Sequence, residues 1–588
     1  MGISGFYTYC KKKVPSAFKN VKIIEEIENY KRENGKSPII VVNLSTMCYH
    51  YKNRKGFFLV EHRFNKIKKN LEGFFQNMVD AGAKLVFMYK RAKFDDDEFL
   101  SKSNTEYRKS LELYQKLEKV NDSAKQRKIL RESTQLPHNH LVLMAMIQSA
   151  KKFGEVHYVN SYDYKAVLVQ REFIMKNNAT WVIGLDTYFF LMDGDWKIFA
   201  DDTLDQAKST IDEIDKNAIA KHFELENKHL PLFAVVLGDF DSVYKCKLYS
   251  FFGSVSKFEN AIRFVKDFEY PLTDESYVAI IDKIYGHKYD PKVINDLKKS
   301  VEQFMIREIE TGIDSEIVDI IKDDFFNYAP EILMKKVPVF ICADMIDLSN
   351  EHTKDYNELI LPFIQKTAGI LLKNLEDKET RKILLMTDNI KYQQHPLEPI
   401  YPEFDVPSLK TILSGEMSTF DKEKLLFFII GEKLQSIELP CIGDDYFIDT
   451  LILLHLINKK KITVTEARCI MQTIFDTRNH TFDPQSIVYP KIFNMRATRC
   501  AFLYMHIFYE IHSCLGALGM KNFCPEFFFD GVFFQKLFAL NVLGLKEEEE
   551  ENNELIEGNV NAEVKISENQ EDYTQTEIID LFVKILNL

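Results

Sequence analysis

The chain has 588 residues, of which 46% are hydrophobic, so it holds enough apolar material for a core and for about two to four domains. Its formal net charge of −12 excludes a surface that is basic all over, although a local basic cluster would still bind phosphate. No apolar run reaches the roughly 20 residues of a membrane span and the N-terminus has no signal-peptide core, so we expect a protein of the cytoplasm or nucleus without membrane contact.

The first 250 residues alternate strand-like and helix-like segments. Apolar runs with β-branched residues predict strands, and apolar residues spaced three and four apart predict helices. The predicted strands are 38–44 (PIIVVNL), 84–89 (KLVFMY), 155–159 (EVHYV), 180–186 (TWVIGLD) and 232–241 (LFAVVLGDFD). The predicted helices are 61–82, 140–154 and 164–177, with exposed helices in 93–134. This order predicts an α/β domain over residues 1–250, with a mostly parallel sheet covered by helices.

The rest of the chain reads as mainly helical. We predict a helical extension over 251–335, a small α/β segment over 336–418 and a helical C-terminal domain over 419–545. Residues 546–573 are acidic and poor in aromatics, which predicts a disordered linker. Residues 574–588 show a helical apolar stripe, which would either dock in a groove of another protein or pack on its own domain.

Four side chains end predicted strands, namely Asn43, Met88, Asp186 and Asp239. Ligands of parallel sheets bind beyond the carboxyl ends of the strands, so we expect these side chains to converge on one crevice. The alternative is that Asp and Asn occur there only because they suit turns and helix caps.

Several segments carry a family resemblance. MGISGFYTYC (1–10), VVNLS (41–45), KLVFMY, WVIGLD and VVLGDFD occur in the order found in flap endonucleases and XPG-like nucleases, whose N-terminal domain is a PIN-like α/β fold. Over nearly its whole length the chain resembles a divergent branch, the constitutive coactivator of PPAR-gamma and asteroid family. The segments 136–159, 229–240 and 498–538 carry this closer resemblance. The last segment ends in a run that includes Phe528, Phe529, Asp530, Gly531, Phe534 and Gln535.

The resemblance also transfers the acidic positions of the nucleases onto this chain. They fall on Asn43, Met88, Ser161, Asp163, Asp186, Tyr188 and Phe240, the last of which lies between Asp239 and Asp241. Two-metal phosphodiester hydrolysis needs several carboxylates around its cations. The resemblance therefore implies a degenerate nuclease site without a resident cofactor, at which Asp163, Asp186 and Asp239 are the candidates for one Mg²⁺ or Mn²⁺ ion.

Basic residues follow the first two predicted strands. They are Lys52, Arg54 and Lys55 after the first strand and Lys90, Arg91 and Lys93 after the second. Aromatic residues such as Tyr51 and Phe57 interleave with them, a combination typical of single-strand nucleic-acid surfaces. The alternative is that the basic side chains only solvate helix faces while the aromatic rings belong to the core.

The leading hypothesis is a pseudo-nuclease that acts as an RNA-associated scaffold or adaptor in post-transcriptional gene regulation. RNA and gene regulation are implied by the family resemblance, and the C-terminal helical domain and tail would recruit protein partners. Two alternatives stay open: an active, structure-specific nuclease with an unorthodox metal site, and an adaptor that binds proteins only.

Overall fold

The computed structural model of the protein describes residues 3, 5–53, 62–90, 97–120, 122–132, 139–159, 166–190, 194–239, 248, 250–253, 256–302, 328–334, 338–341, 353–375, 379–387, 391–431, 446–484, 486–487, 490, 493–520, 523 and 526–544. The chain divides into two compact units. The first comprises 1–51, 70–92 and 149–312, and the second comprises 52–69, 93–148 and 313–588. In the described part of the chain, no helix is both long and apolar enough to cross a membrane. The segments 546–573 and 574–588 lie outside the described residues, and the predicted domain limits remain predictions.

The first unit is built on a seven-stranded sheet. Its strands are β1 (Phe18–Lys22), β2 (Ile39–Asn43), β3 (Lys84–Lys90), β4 (Gly154–Val159), β5 (Trp181–Ile183), β6 (Lys197–Asp205) and β7 (Thr210–Ile214). The helices described between residues 5 and 302 are α1 (Phe6–Lys13), α2 (Ile23–Asn34), α3 (Leu44–Asn53), α4 (Phe64–Asp80), α5 (Asp97–Glu118), α6 (Ser123–Glu132), α7 (Asn139–Ala150), α8 (Ala166–Lys176), α9 (Lys216–Phe223), α10 (Leu230–Ala234), α11 (Lys257–Lys266), α12 (Asp274–Tyr285) and α13 (Lys292–Glu302). Of these, α5, α6 and most of α7 belong to the second unit.

The strand order of this sheet is β1-β7-β6-β5-β2-β3-β4. Strands β4, β3, β2, β5 and β6 run parallel to one another. Strand β7 runs antiparallel to β6, and β1 runs antiparallel to β7. From β2 the chain builds the sheet toward β3 and β4, and later toward β5 and β6, so the order reverses between β2 and β5. In open α/β sheets such a reversal opens a crevice at the carboxyl ends of the strands.

The apolar runs that predict strands are buried on both faces of this sheet. Ile40, Val41 and Val42 of β2 are each 0% exposed, as is typical of a parallel strand covered by helices. Phe75 of α4 packs edge-on against Phe87 of β3, with ring centroids 4.9 Å apart. The predicted α/β class with a mostly parallel sheet is confirmed.

The second unit contains a three-stranded sheet and a set of packed helices. Its strands are β8 (Val339–Phe340), β9 (Arg381–Thr387) and β10 (Lys391–Leu397). The helices described beyond residue 327 are α14 (Ala329–Met334), α15 (Thr353–Leu372), α16 (Leu409–Ser414), α17 (Thr419–Ile430), α18 (Phe447–Asn458), α19 (Val464–Arg478), α20 (Met495–Ala517) and α21 (Gly531–Asn541). Helix α20 is buried along most of its length and packs against α15, α18 and α21, so it forms the centre of this unit. The predicted helical C-terminal region is thereby confirmed.

The predicted strand 232–241 is wrong. Leu230–Ala234 is the α-helix α10, and Val235–Asp239 continues it as a π-helical turn. Pro231 lies in the first turn of α10, where its missing N–H costs nothing. Side chains in this stretch are buried without alternation, and a short buried apolar run does not distinguish a strand from a helix.

The C-terminal run that carries the closer resemblance has a structural role. Asp530 caps α21 by accepting two backbone N–H groups of the first turn, both at 3.0 Å. The buried guanidinium of Arg63 donates to the same carboxylate at 3.3 Å. Gln535 accepts the backbone N–H of Asn494 at 2.9 Å and so joins α21 to the start of α20. These polar groups hold the helices of the second unit in register.

Candidate functional site at the carboxyl ends of the parallel strands

Asn43 ends β2 at the strand reversal and is 0% exposed. Its side-chain oxygen accepts the backbone N–H groups of Ser45 at 3.1 Å and Thr46 at 3.3 Å. The Thr46 hydroxyl donates to the Asn43 carbonyl at 3.1 Å. Asn43 is therefore the N-cap of α3. Among the described residues its side-chain nitrogen has no hydrogen-bond partner, and a nitrogen that carries two protons cannot ligate a cation.

Glycine at position 184 lets β5 lie close to this cap. A Cβ atom on Gly184 would lie 2.8 Å from the Asn43 Cβ and 2.9 Å from the Thr46 hydroxyl. The backbone N–H of Gly184 donates to the carbonyl of Phe199 at 2.9 Å, which keeps β5 joined to β6 at this level. The cap and the strand end are thus packed without room for an additional group between them.

Met88 lies beside Asn43, because the two residues are register partners in the parallel pair of β2 and β3. Met88 is 0% exposed and belongs to the hydrophobic core of the first unit. A thioether is a poor ligand for a hard cation such as Mg²⁺. This strand end is therefore apolar.

Asp186 follows β5 and is 3% exposed. One carboxylate oxygen accepts the backbone N–H of Tyr188 at 3.2 Å, and the Asp186 carbonyl accepts that of Phe189 at 3.0 Å. Asp186 therefore starts the 3₁₀ turn Thr187–Phe190, in which Tyr188 is buried in the core. The backbone N–H of Ile3 donates to the Thr187 hydroxyl at 2.7 Å, so the N-terminal stretch reaches this edge of the sheet.

Asp201 is a buried carboxyl group that the sequence analysis did not identify. It lies in β6 and is 4% exposed. Burial raises its pKa to about 7; polar interactions with Thr46 and the Leu185 backbone oppose the rise, and neighbouring Asp202 adds to it. The sequence does not predict this strand, because apolar and polar residues do not alternate cleanly in KIFADDTLD (197–205). The apolar residues IFA before two aspartates are the one local indication of a strand that ends in acidic side chains. Near neutral pH this group is in part uncharged.

The remaining predicted acid positions give less information. Asp239 closes the π-helical turn after α10, so it does not end a strand of the sheet, and its side chain lies outside the described residues. Ser161, Asp163 and Phe240 lie outside the described residues altogether. Asn43 and Met88 therefore lie side by side, and Asp186 follows the strand that pairs with β2; that these side chains line one crevice stays a prediction.

The described side chains at this edge do not fit a pair of divalent cations. Such a pair needs several carboxylates with free oxygens. The Asn43 oxygen serves the α3 cap, Met88 offers only sulfur, and one Asp186 oxygen serves a turn. In the described part of the chain, no group of three or more His, Cys, Asp or Glu residues is arranged to hold a metal ion. A single ion at Asp163, Asp186 and Asp239 stays a prediction.

Two of the six predicted basic contacts lie in described elements. Lys52 is in the last turn of α3, and Lys90 is the last residue of β3, where it pairs in register with Val159. Arg54, Lys55, Arg91 and Lys93 lie outside the described residues. The position of Lys90 is therefore the carboxyl end of a parallel strand, as the sequence predicts.

No protein-family model and no curated protein matches this chain. Among solved structures it is similar to the catalytic core of Rad2, at 15% identity over 55% of this chain and 85% of that chain, with a TM-score of 0.26. It is also similar to that core in complex with DNA substrate, at 14% identity over 53% of this chain and 88% of the other, with a TM-score of 0.27. A likeness at these scores says nothing about activity. The mixed α/β class of this chain rests on its own sheet, in which five neighbouring strands, β4-β3-β2-β5-β6, run parallel.

Proposed function

We propose that this protein is a catalytically degenerate member of the PIN-like, XPG-type nuclease fold and acts as an RNA-associated scaffold or adaptor in gene regulation. On this proposal, the carboxyl edge of the parallel sheet does not cleave a phosphodiester bond. The basic residues near that edge bind RNA, and the helical C-terminal region with its tail recruits protein partners.

The observation that carries the proposal is the N-cap of α3. The Asn43 oxygen, which could replace a carboxylate as a metal ligand, already accepts two backbone N–H groups. To bind a cation it would have to give up at least one of them, and an unpaired buried N–H group costs about 1–3 kcal/mol. The capping role of this side chain therefore supports the proposal that it does not hold a metal.

RNA binding is proposed from the positions of the basic residues. Lys90 ends β3, next to the strand reversal, and Lys52 lies in the helix that Asn43 caps. Cations there would attract phosphate groups to this edge of the sheet. Binding should therefore be sensitive to salt and insensitive to chelators.

The test is a titration of labelled single-stranded RNA in the presence of chelator, with a variant in which Lys52, Arg54 and Lys55 are changed to Gln. A control variant changes Lys459, Lys460 and Lys461 to Gln, which removes the same charge at the end of α18. We expect the first variant to bind about tenfold more weakly at low salt, with a shallower salt dependence, and the control to bind like the wild type. Equal binding by all three proteins would contradict the proposed RNA surface and favour the protein-only adaptor.

A further inference from the structure

A second surface, in the C-terminal unit, combines exposed aromatic rings with a cation. Phe420, Lys424 and Phe428 are spaced by four residues along α17, so they lie on one face of the helix. Phe404 of the adjacent extended segment completes the group. We refer to Phe404, Phe420, Lys424 and Phe428 as the aromatic platform.

The lysine of the platform lies between two rings. The Lys424 Nζ atom is 4.3 Å from the ring centroid of Phe404 and 5.9 Å from that of Phe420. Phe404 and Phe428 meet edge to face, with centroids 5.7 Å apart. Phe420 is 70% exposed, the largest exposure of any large apolar side chain in the described residues. A phenylalanine this exposed offers a free ring face to a ligand.

The backbone beneath the platform is held in place by α15. Lys373 at the end of this helix donates to the carbonyls of Pro402 at 2.7 Å and Phe404 at 2.5 Å. A Cβ atom on Gly369 would lie 1.8 Å from the Ile400 carbonyl oxygen, so the segment rests directly on the helix backbone. The backbone that carries Phe404 is therefore held in place before any ligand binds, which lowers the entropic cost of binding.

The charge at the platform selects the class of ligand. The Lys424 ammonium contacts the rings of Phe404 and Phe420 and forms no ion pair within the described residues, so an apolar peptide that covered it would bury an uncompensated ammonium group. A nucleotide supplies both a flat base to stack on Phe420 and a phosphate to neutralise Lys424. Glu403 and Asp405 flank Phe404 with exposed side chains, so the local charge is mixed and stacking must dominate over phosphate attraction.

We propose that the aromatic platform is a binding site for single-stranded nucleic acid, with one base stacked on Phe420 and one phosphate at Lys424. The site belongs to the second unit and does not rest on the function proposed for the sheet edge. Because it engages about one phosphate, its affinity should fall with salt at a slope of only about 0.7 in a log–log plot.

The experiment uses Phe420→Trp as a local reporter. The two natural tryptophans, Trp181 and Trp196, are 1% and 4% exposed, so a change in emission on adding oligonucleotide reports the introduced indole. The probes are oligoadenylates of about 12 nucleotides, as RNA and as DNA. We expect quenching by both, and about three- to tenfold weaker binding when Lys424→Gln is added to the reporter.

Lys422→Gln is the matched control, because it removes the same charge two residues away on α17 and so on a different face of the helix. It should leave the affinity within about twofold. If Lys424→Gln and Lys422→Gln weakened oligonucleotide binding equally, the proposal would be overturned, since the effect would then reflect the general charge of the helix and not a contact at Lys424. The proposal would also fall if the oligonucleotide bound, as judged by its anisotropy, without changing the emission at position 420. Quenching retained at position 420 in a protein that also carries the Lys52, Arg54 and Lys55 substitutions would support the proposal and separate this site from the sheet edge.

Discussion

Asn43 and Met88 are register partners at the carboxyl ends of two adjacent parallel strands, and neither offers a free ligand to a cation. The amide oxygen of Asn43 caps α3, while the Met88 thioether packs in the core. The side chains at these strand ends stabilise the fold. Each of these side chains thus has a structural use of its own, which the residue type alone does not reveal.

Because Asn43 caps α3, the stability of variants at this position should depend on whether the new side chain has an oxygen that accepts the helix N–H groups. Asn43→Ser keeps a side-chain oxygen that can accept the α3 N–H groups, whereas Asn43→Ala removes it and leaves a cavity of similar size. We expect the Ala variant to be less stable than the Ser variant by about 1 kcal/mol in urea unfolding. Equal stabilities would show that the cap contributes nothing at this site.

Asp201 predicts a pH dependence of stability. Its pKa rises from 3.8 to about 7 on folding, so the folded state binds this proton more tightly than the unfolded state. The stabilising contribution is complete below pH of about 4 and is lost as the pH rises to about 7. We therefore expect the free energy of unfolding of Asp201→Asn to rise relative to that of the wild type as the pH increases. The difference between the two proteins should grow by about 3 kcal/mol between pH 5 and pH 8. A gap that stays constant over this range, in unfolding measured at each pH, would contradict the raised pKa.

Gly184 predicts the effect of a single methyl group at the strand reversal. Because its Cβ would lie 2.8 Å from the Asn43 Cβ, Gly184→Ala should cost about 1–3 kcal/mol in the free energy of unfolding. Gly73, in the exposed interior of α4, has open space at the same position. Gly73→Ala should instead stabilise the protein by about 0.5–1 kcal/mol through helix propensity. If both substitutions changed the free energy of unfolding in the same direction, the close approach of β5 to the α3 cap would be contradicted.

The buried pair of Arg63 and Asp530 predicts a rescue experiment in the second unit. Asp530→Asn keeps an oxygen that can cap α21 but leaves the Arg63 guanidinium, 4% exposed, without its carboxylate. Breaking one partner of a buried pair costs about 3–5 kcal/mol. Adding Arg63→Met should recover part of this loss, as a double-mutant cycle of unfolding free energies would show. Additive losses in the two variants would mean that the pair is not coupled.

The sequence predicts those elements in which local pattern and tertiary environment agree. The buried runs of β2 and β3 and the periodic helix α4 are examples, and the positions of Asn43 and Met88 at neighbouring strand ends follow from them. The resemblance draws attention to Asp186, and the structure brings it to the same strand reversal. These predictions depend on periodicity and on the parallel order of strands, both of which are visible in a single chain.

Other features depend on packing that no local pattern reveals. The apolar run before Asp239 is buried on all sides, so a helix and a strand are equally compatible with its composition. Strand β6 carries two adjacent aspartates and shows no clear alternation, so Asp201 escaped notice. The Asn43 side-chain oxygen accepts backbone N–H groups from residues only two and three positions along the chain. The sequence alone does not show that these two hydrogen bonds form.

The central claim is that the edge formed by Asn43, Met88 and Asp186 does not catalyse phosphodiester cleavage. Its most direct test is incubation of the purified chain with labelled single-stranded and flap substrates in Mg²⁺, in Mn²⁺ and in chelator, with Asp186→Asn alongside. We predict binding of the single-stranded substrate in all three conditions and no product above the level of the Asp186→Asn variant. Metal-dependent cleavage by the wild type that is lost in Asp186→Asn would contradict the account and identify an active nuclease.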